Sequence, residues 1–149
     1  MNANQIQSEF ISLLLQNGEK QDFCCHYWSR GTRRMSRNII ELSRSINCLI
    51  YFKVIYKKSY NSYKWGVTAN RIDELKRSDM KWVLVLLYES ASTGYFITAE
   101  DVNRYLSLSI WPLGRDGDYK VATGSYLQFN KKPFQSFSEF LNSLVNSCK

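Results

Sequence analysis

Four side chains near the start of the chain have types that could together hydrolyse a phosphodiester bond. They are Glu9, Asn38, Glu41 and Lys53. Such hydrolysis needs acidic groups to hold a divalent metal ion and a nearby cation to activate water or to offset the charge that develops. Glu9 and Glu41 would be the metal ligands and Lys53 the cation, and all of them would have to meet at one end of a sheet.

Each of these residues also has an ordinary explanation. Glu9 would be an exposed residue of a helix, Glu41 would pair with an arginine, and Lys53 would extend its ammonium group from a partly covered strand. Lys53 is the most suggestive of the set, because aromatic and β-branched residues flank it on both sides. The sequence leaves both interpretations open.

The positive charge of the chain is concentrated in one block. The formal net charge is +7, but the 35 residues from Arg30 to Lys64 contain nine basic residues and one acid, and the other 114 contain 11 basic and 12 acidic residues. A basic block in an otherwise neutral chain favours a polyanionic partner, here nucleic acid, over a generally charged surface. The residues predicted to bind nucleic acid are Arg30, Arg33, Arg34, Arg37, Lys57, Lys58, Lys64 and Trp65, with Tyr63 as an alternative stacking ring.

Other kinds of site have little support in the sequence. The seven glycines form no phosphate-binding loop, and no cysteine pair has C-x-x-C spacing. The single histidine, His26, is expected to be structural. Cys24, His26 and Cys48 would form part of a zinc site only if the first and third strands were neighbours, and no fourth ligand is evident. The polar N-terminus and the short apolar run Trp82–Tyr88 predict a cytoplasmic protein with reduced thiols and no membrane partner.

Hydrophobic patterning predicts an α/β chain with a mixed central β-sheet flanked by helices, organised as a single domain over residues 1–149. The clearest strand is the one that is apolar on both faces, because such a strand belongs inside a covered sheet. The predicted helices are Gln5–Gln16, ended by Asn17-Gly18, then Ala69–Arg77, Thr98 to about Leu106, and a C-terminal helix that includes Phe137 and Val145. The predicted strands are Asp22–Ser29, Asn38–Leu42, Cys48–Lys57, Lys81–Tyr88 and Tyr95–Ile97, followed by a hairpin of Tyr119–Thr123 with Tyr126–Phe129.

The chain has, in order, the helix that carries Glu9, two strands, and the segments LIYFKVIYKKS, YKWGVTANRIDEL and KWVLVLLY. This layout resembles the PD-(D/E)XK nuclease superfamily, whose fold is called restriction-endonuclease-like. The resemblance covers Gln5 to Val102 and is closest to small stand-alone and homing-type members. In that family an Asp and a Glu or Gln on neighbouring strands bind magnesium, a lysine two residues further on assists the attacking water, and a first-helix glutamate often adds a ligand. The resemblance implies a DNA endonuclease that uses Mg²⁺, and a homodimer by analogy.

The sequence departs from the family pattern on the third strand. Aligned by its apolar residues, that strand has Lys53 at the acid position and Ile55 at the lysine position; shifted by two, it has a tyrosine at the acid position. The aspartate position falls on Asn38 or on Glu41, and Glu9 matches its counterpart. Either the site is rearranged around these residues, or the fold is kept for binding after the loss of its metal.

Three functions therefore follow from the sequence. The first is a DNA endonuclease that uses a divalent metal. The second is a catalytically inactive, nuclease-like protein that binds DNA. The third is a protein-interaction module of a defence or recombination system, with the basic face meeting an acidic protein.

Overall fold

A computed structural model gives the fold of residues 1–29, 35–123 and 131–148. The elements in chain order are α1 (Ala3–Gln21), β1 (Phe23–Ser29), β2 (Met35–Arg44), β3 (Cys48–Ile55), β4 (Lys64–Thr68), α2 (Ala69–Arg77), β5 (Trp82–Tyr88), β6 (Gly94–Thr98), α3 (Ala99–Ser107), β7 (Asp118–Ala122) and α4 (Phe137–Cys148).

Five strands form a mixed central sheet in the order β1-β2-β3-β5-β6. Neighbouring strands are antiparallel except β3 and β5, which are parallel. Between β3 and β5 the chain therefore has to cross over the sheet, and it does so through β4 and α2. The mixed α/β sheet flanked by helices that the sequence predicts is confirmed. The predicted order of one helix, three strands, a helix and a strand lacks β4, which lies between β3 and α2.

Helices α1 and α4 cover one face of the central sheet. Phe10 of α1 lies between Phe52 of β3 and Phe140 of α4, with ring centroids 5.3 and 5.4 Å apart. Ile50 and Val85 belong to the same buried cluster. On each strand these residues alternate with those of the opposite face, as a pleated strand requires.

The other face is covered by α2, α3 and the two-stranded sheet of β4 and β7. Tyr51, Leu84 and Leu86 of the central sheet pack here against Ile72 of α2 and Val102 of α3. Six of the seven residues of β5 are buried, which confirms the prediction of an interior strand.

One predicted element around the smaller sheet needs correction, and another lies partly outside the described residues. β4 was expected only as a lead into a helix, yet it pairs antiparallel with β7 over five residues. β7 was expected to form a hairpin with Tyr126–Phe129; its partner in the described part of the chain is β4, and residues 126–129 lie outside the described residues. A pairing between segments about 50 residues apart has no local sequence signature.

The predicted end of α1 at Asn17-Gly18 is also wrong. The helix continues to Gln21, and Asp22, with φ of 58°, is the left-handed residue that ends it. Gly18 lies within the helix and against the following strand, where an added Cβ would be 2.6 Å from the carbonyl oxygen of Phe23 and 3.2 Å from two of its ring carbons. Glycine is required here for the close approach of α1 to β1.

We expect Gly18→Ala to lower the free energy of unfolding by about 1–3 kcal/mol, because the new methyl group has no room beside Phe23. Helix propensity alone would favour alanine by about 1 kcal/mol. Urea unfolding monitored by circular dichroism measures the change. Gln16→Ala, at an exposed position of the same helix, is the control and should stay within about 0.5 kcal/mol of the wild type. Stabilisation by Gly18→Ala would contradict this packing.

Candidate nucleic-acid interface

Strand direction brings most of the described basic block to one end of the central sheet. β2 is antiparallel to β1 and β3, so the start of β2 lies beside the ends of both neighbours. β5 is parallel to β3, and the last residues of the two strands, Ile55 and Tyr88, are paired. We call this end of the sheet the basic end and define it by Arg37, Lys53, Lys57, Lys58 and Lys64.

Not every basic residue of the block lies there. Arg44 ends β2 at the opposite end of the sheet, with its guanidinium 3.5 Å from the carboxylate of Asp22. Arg30, Arg33 and Arg34, which were predicted to bind nucleic acid, lie outside the described residues. Arg37 is exposed on β2, and its carbonyl oxygen accepts a hydrogen bond from Gln7 of α1 at 3.2 Å.

A tight turn presents a tyrosine ring at the basic end. Backbone hydrogen bonds run in both directions between Ser59 and Ser62, at 2.8 and 3.2 Å. Tyr60 and Asn61 take positive φ values of 51° and 65° between them. The Tyr60 side chain is 92% exposed at the tip of this turn. An exposed ring held by a closed turn is a suitable surface for stacking a base.

Three lysines surround this turn, and each lies over a tyrosine ring. The ammonium of Lys57 is 5.4 Å from the ring centroid of Tyr56, and that of Lys64 is 5.6 Å from that of Tyr60. Lys58 lies 5.4 Å from the ring centroid of Tyr63. Contacts of this kind contribute about 0.5–1 kcal/mol at exposed sites, so the ammonium groups can be transferred to phosphates at little cost.

Buried aromatic rings hold the base of the turn on the sheet. Tyr63 stacks on Tyr88 with centroids 4.4 Å apart, and its hydroxyl donates a hydrogen bond to Glu89. The indole N–H of Trp65 donates to the carbonyl oxygen of Leu87 at 3.0 Å, and Trp65 is only 4% exposed. This corrects the expectation that Trp65 or Tyr63 offers a stacking surface. Both rings anchor the segment, and Tyr60 is the ring on the surface.

The predicted catalytic residues are divided between the two faces of the sheet. Glu41 shares its face with Ile39, which packs in the cluster under α2 and α3, whereas Glu9 is exposed on α1, which covers the opposite face. The carboxylate of Glu41 lies 3.3 Å from Nε2 of His26, its partner on β1. Glu41 therefore pairs with a histidine, where an arginine had been the expected partner.

Asn38 and Lys53 do not join these acids into one site. Asn38 is two residues from Ile40, whose side chain packs on the α1 face, and Lys53 is two residues from Tyr51, which packs on the other. Lys53 and Glu41 share that second face, but Glu41 is paired with Leu49. Lys53 is four positions after Leu49 on β3, which is about 13 Å along a strand.

The donor set does not fit the divalent metal that the resemblance implies. The two predicted ligands, Glu9 and Glu41, have the sheet between them. The β3 side chains on the α1 face are Cys48, Ile50, Phe52 and Val54, and none of them offers the oxygen ligands that Mg²⁺ prefers. Within residues 1–29, 35–123 and 131–148, no three His, Cys, Asp or Glu side chains lie where they could hold one ion. Cys24 and His26 are also separated from Cys48, because β2 lies between β1 and β3.

Two residues of the basic end were missed by sequence reasoning. Tyr60 was included in a polar loop, and Glu89 in a turn after the fifth strand. A large ring beside two lysines in such a loop is the signal that could have indicated Tyr60. No local signal marks Glu89, because its partner Tyr63 is 26 residues earlier in the chain.

Comparisons with known proteins give one structural likeness. No protein-family model matches the chain, and no curated protein sequence matches it. The fold is similar to that of Hjc, a Holliday junction resolvase from Archaeoglobus fulgidus, with 12% sequence identity and a TM-score of 0.44 over 80% of this chain and 90% of that one. None of the described helices is both long and apolar enough to span a membrane.

The environment of Tyr63, buried and hydrogen-bonded to Glu89, leads us to expect that the free energy of unfolding falls at alkaline pH. Burial, and after it the hydrogen bond to Glu89, raises the pKa of Tyr63 from 10.0 to about 12. Because the pKa of Tyr63 is higher in the folded protein than in the unfolded chain, its contribution to stability is fully present at a pH below the unfolded-chain pKa. This contribution is lost as the pH rises from about 10 to about 12. Between pH 9 and 11 the free energy of unfolding should fall less steeply for Tyr63→Phe than for the wild type.

Urea unfolding at a series of pH values measures this difference. Tyr60→Phe, at the exposed turn, is the matched control and should follow the wild-type profile. Identical slopes for the wild type and Tyr63→Phe would show that Tyr63 does not couple folding to its proton.

Proposed function

We propose that this chain binds DNA at its basic end and does not depend on the predicted metal site. The observation that supports this proposal is that Arg37, Lys57, Lys58 and Lys64 lie at the same end of the sheet as the turn that exposes Tyr60. The choice of DNA rests on the resemblance of the sequence layout to the PD-(D/E)XK nucleases. A homodimer is part of the proposal, again by that resemblance.

Lysine and arginine at this end would contact phosphates and carry most of the affinity. Each neutralised phosphate releases condensed counterions, so the logarithm of the binding constant falls with the logarithm of the salt concentration by about 0.9 per contact on duplex DNA. Four contacts give a slope of about −3.6. Tyr60 would add stacking where bases are unpaired.

Lys53 would have a supporting role in binding. It is half-buried on β3, beside Leu86 of β5, and lies closer to the sheet than the lysines of the turn. A cation set back in this way adds to the positive field of the basic end, which attracts the DNA backbone, while the exposed side chains make the direct contacts.

We expect the triple variant Lys57→Gln/Lys58→Gln/Lys64→Gln to lose about tenfold or more of its DNA affinity at low salt and to have a shallower salt slope, smaller by about 2.7. Fluorescence anisotropy with a labelled duplex at several salt concentrations measures both quantities. The stoichiometry at saturation shows in addition whether the binding unit is a dimer.

The matched control removes three charges elsewhere. Arg44, Lys76 and Arg77 lie at the end of β2 and at the end of α2, and Arg44→Gln/Lys76→Gln/Arg77→Gln changes the net charge by the same amount. This control should keep most of the affinity and the salt slope. An equal loss in both triple variants would indicate a general charge effect. Binding that does not weaken with salt would exclude the phosphate contacts.

The endonuclease hypothesis makes a separate prediction. Because Glu9 and Glu41 lie on opposite faces of the sheet, we expect no nicking of supercoiled plasmid by the purified protein with Mg²⁺ or Mn²⁺, as followed on agarose gels. Nicking that is lost in Lys53→Ala or Glu41→Ala, but kept in Arg44→Gln, would show that the site assembles and would replace the binding-only proposal.

A further inference from the structure

Two cysteines meet at the end of the sheet opposite the basic end. Cys48 is the first residue of β3, and Cys148 is the last residue of α4. Both are free thiols, 0% and 4% exposed, in the core cluster under α1 and α4. The two thiols are neighbours in this cluster, and their interaction raises the pKa of Cys48 and lowers that of Cys148.

A lysine lies beside this pair. The amide N–H of Leu49, next to Cys48, donates to the carbonyl oxygen of Lys81 at 2.9 Å. Lys81 is thereby held next to the start of β3, and its side chain is exposed. Its positive charge favours the thiolate form of Cys148. Cations close to a cysteine make it a better nucleophile at neutral pH.

A cavity of about 280 Å³ leads to Cys148. Its lining includes Lys81, Thr98, Glu100, Ser147 and Cys148, and Cys48 is not among the residues that line it. Several molecules of the size of water or hydrogen peroxide fit in this volume. The two thiols thus differ in access, since Cys148 faces the cavity and Cys48 lies behind it.

The two thiols also differ in acidity. The interaction with Cys48 lowers the pKa of Cys148, and Lys81 lowers it further, whereas burial opposes both. The same interaction, together with burial, raises the pKa of Cys48. Burial alone raises the pKa of Cys25 to about 11, so Cys25 is a poor nucleophile.

We propose that Cys148 is a site of oxidation by hydroperoxides entering from this cavity, and that Cys48 then closes a Cys48–Cys148 disulfide. The Cys148 thiolate attacks one peroxide oxygen, the O–O bond breaks, and the leaving hydroxide takes up a proton to become water; the sulfur is oxidised to a sulfenic acid. The Cys48 sulfur then attacks Cys148 Sγ, the S–S bond forms, and the S–O bond breaks. Hydroxide leaves and combines with the Cys48 proton as a second water molecule.

The disulfide would join the C-terminal helix to the start of the central strand. A bridge that closes such a long loop restricts the unfolded chain, so the oxidised protein should melt roughly 10 °C higher than the reduced one. The site is independent of the DNA-binding proposal, because its residues lie at the other end of β3.

The test uses the variant Cys24→Ser/Cys25→Ser, which keeps only the proposed pair. After treatment with equimolar hydrogen peroxide and alkylation in denaturant, we expect a mass about 2 Da below that of the reduced, unalkylated chain, and a Cys48–Cys148 cross-linked peptide in a non-reducing digest. The same peptide should be found in oxidised wild-type protein, where no substitution can disturb folding. Two thiols that remain alkylatable, or cross-links mainly between chains, would overturn the proposal.

Single substitutions test the two roles separately. In Cys48→Ser the sulfenic acid at Cys148 should persist and be trapped by dimedone, whereas Cys148→Ser should leave Cys48 unoxidised under the same conditions. Lys81→Gln should slow disulfide formation several-fold without changing its end point. Equal rates of oxidation at Cys48 and Cys148, each measured alone, would contradict the assignment of Cys148 as the attacking thiolate.

Discussion

The pairing of β3 determines where the charge of this molecule lies. β3 is antiparallel to β2 on one side and parallel to β5 on the other. The first pairing places the start of β2, with Arg37, beside the end of β3, and the second places the end of β5, with Glu89, there as well. The lysines that follow β3 are thus combined with Arg37 from another strand, while Arg44 is carried to the opposite end. A block of charge in the sequence becomes a charged end in the fold.

The same strand explains why these charges do not form the predicted catalytic site. Successive side chains of a strand point to opposite faces. On β3 the α1 face receives Ile50, Phe52 and Val54, and the other face receives Tyr51 and Lys53. Moving Lys53 to the face of Glu9 would take a shift of one residue, which would also move every buried side chain of the strand to the opposite face and break its packing there. The apolar core therefore holds the lysine and the helix glutamate apart.

The sequence could predict those parts of the fold that depend on local patterns. β5 was recognisable because it is apolar on both faces, and Thr98 marked the start of α3, where its hydroxyl accepts the amide hydrogen bond of Asp101 at 3.2 Å. The position of Arg44 at the far end also follows from an antiparallel hairpin. What could not be predicted is which face α1 covers, and hence that Glu9 and Glu41 lie apart. This depends on close packing at Gly18 and on the pairing of distant segments such as β4 and β7.

Both proposed sites lie at ends of β3, and the hydrogen bonding of the strand between them indicates that they act separately. Cys48 begins the strand and the lysine-rich turn follows its end, about 23 Å away at the rise of an extended chain. Coupling between distant sites requires an element with two arrangements that both sites bias. A strand hydrogen-bonded to a neighbour on each side is poorly suited to this, because any shift of register would break both ladders at once. Oxidation of the thiol pair would thus stabilise the fold without a direct route to the basic end.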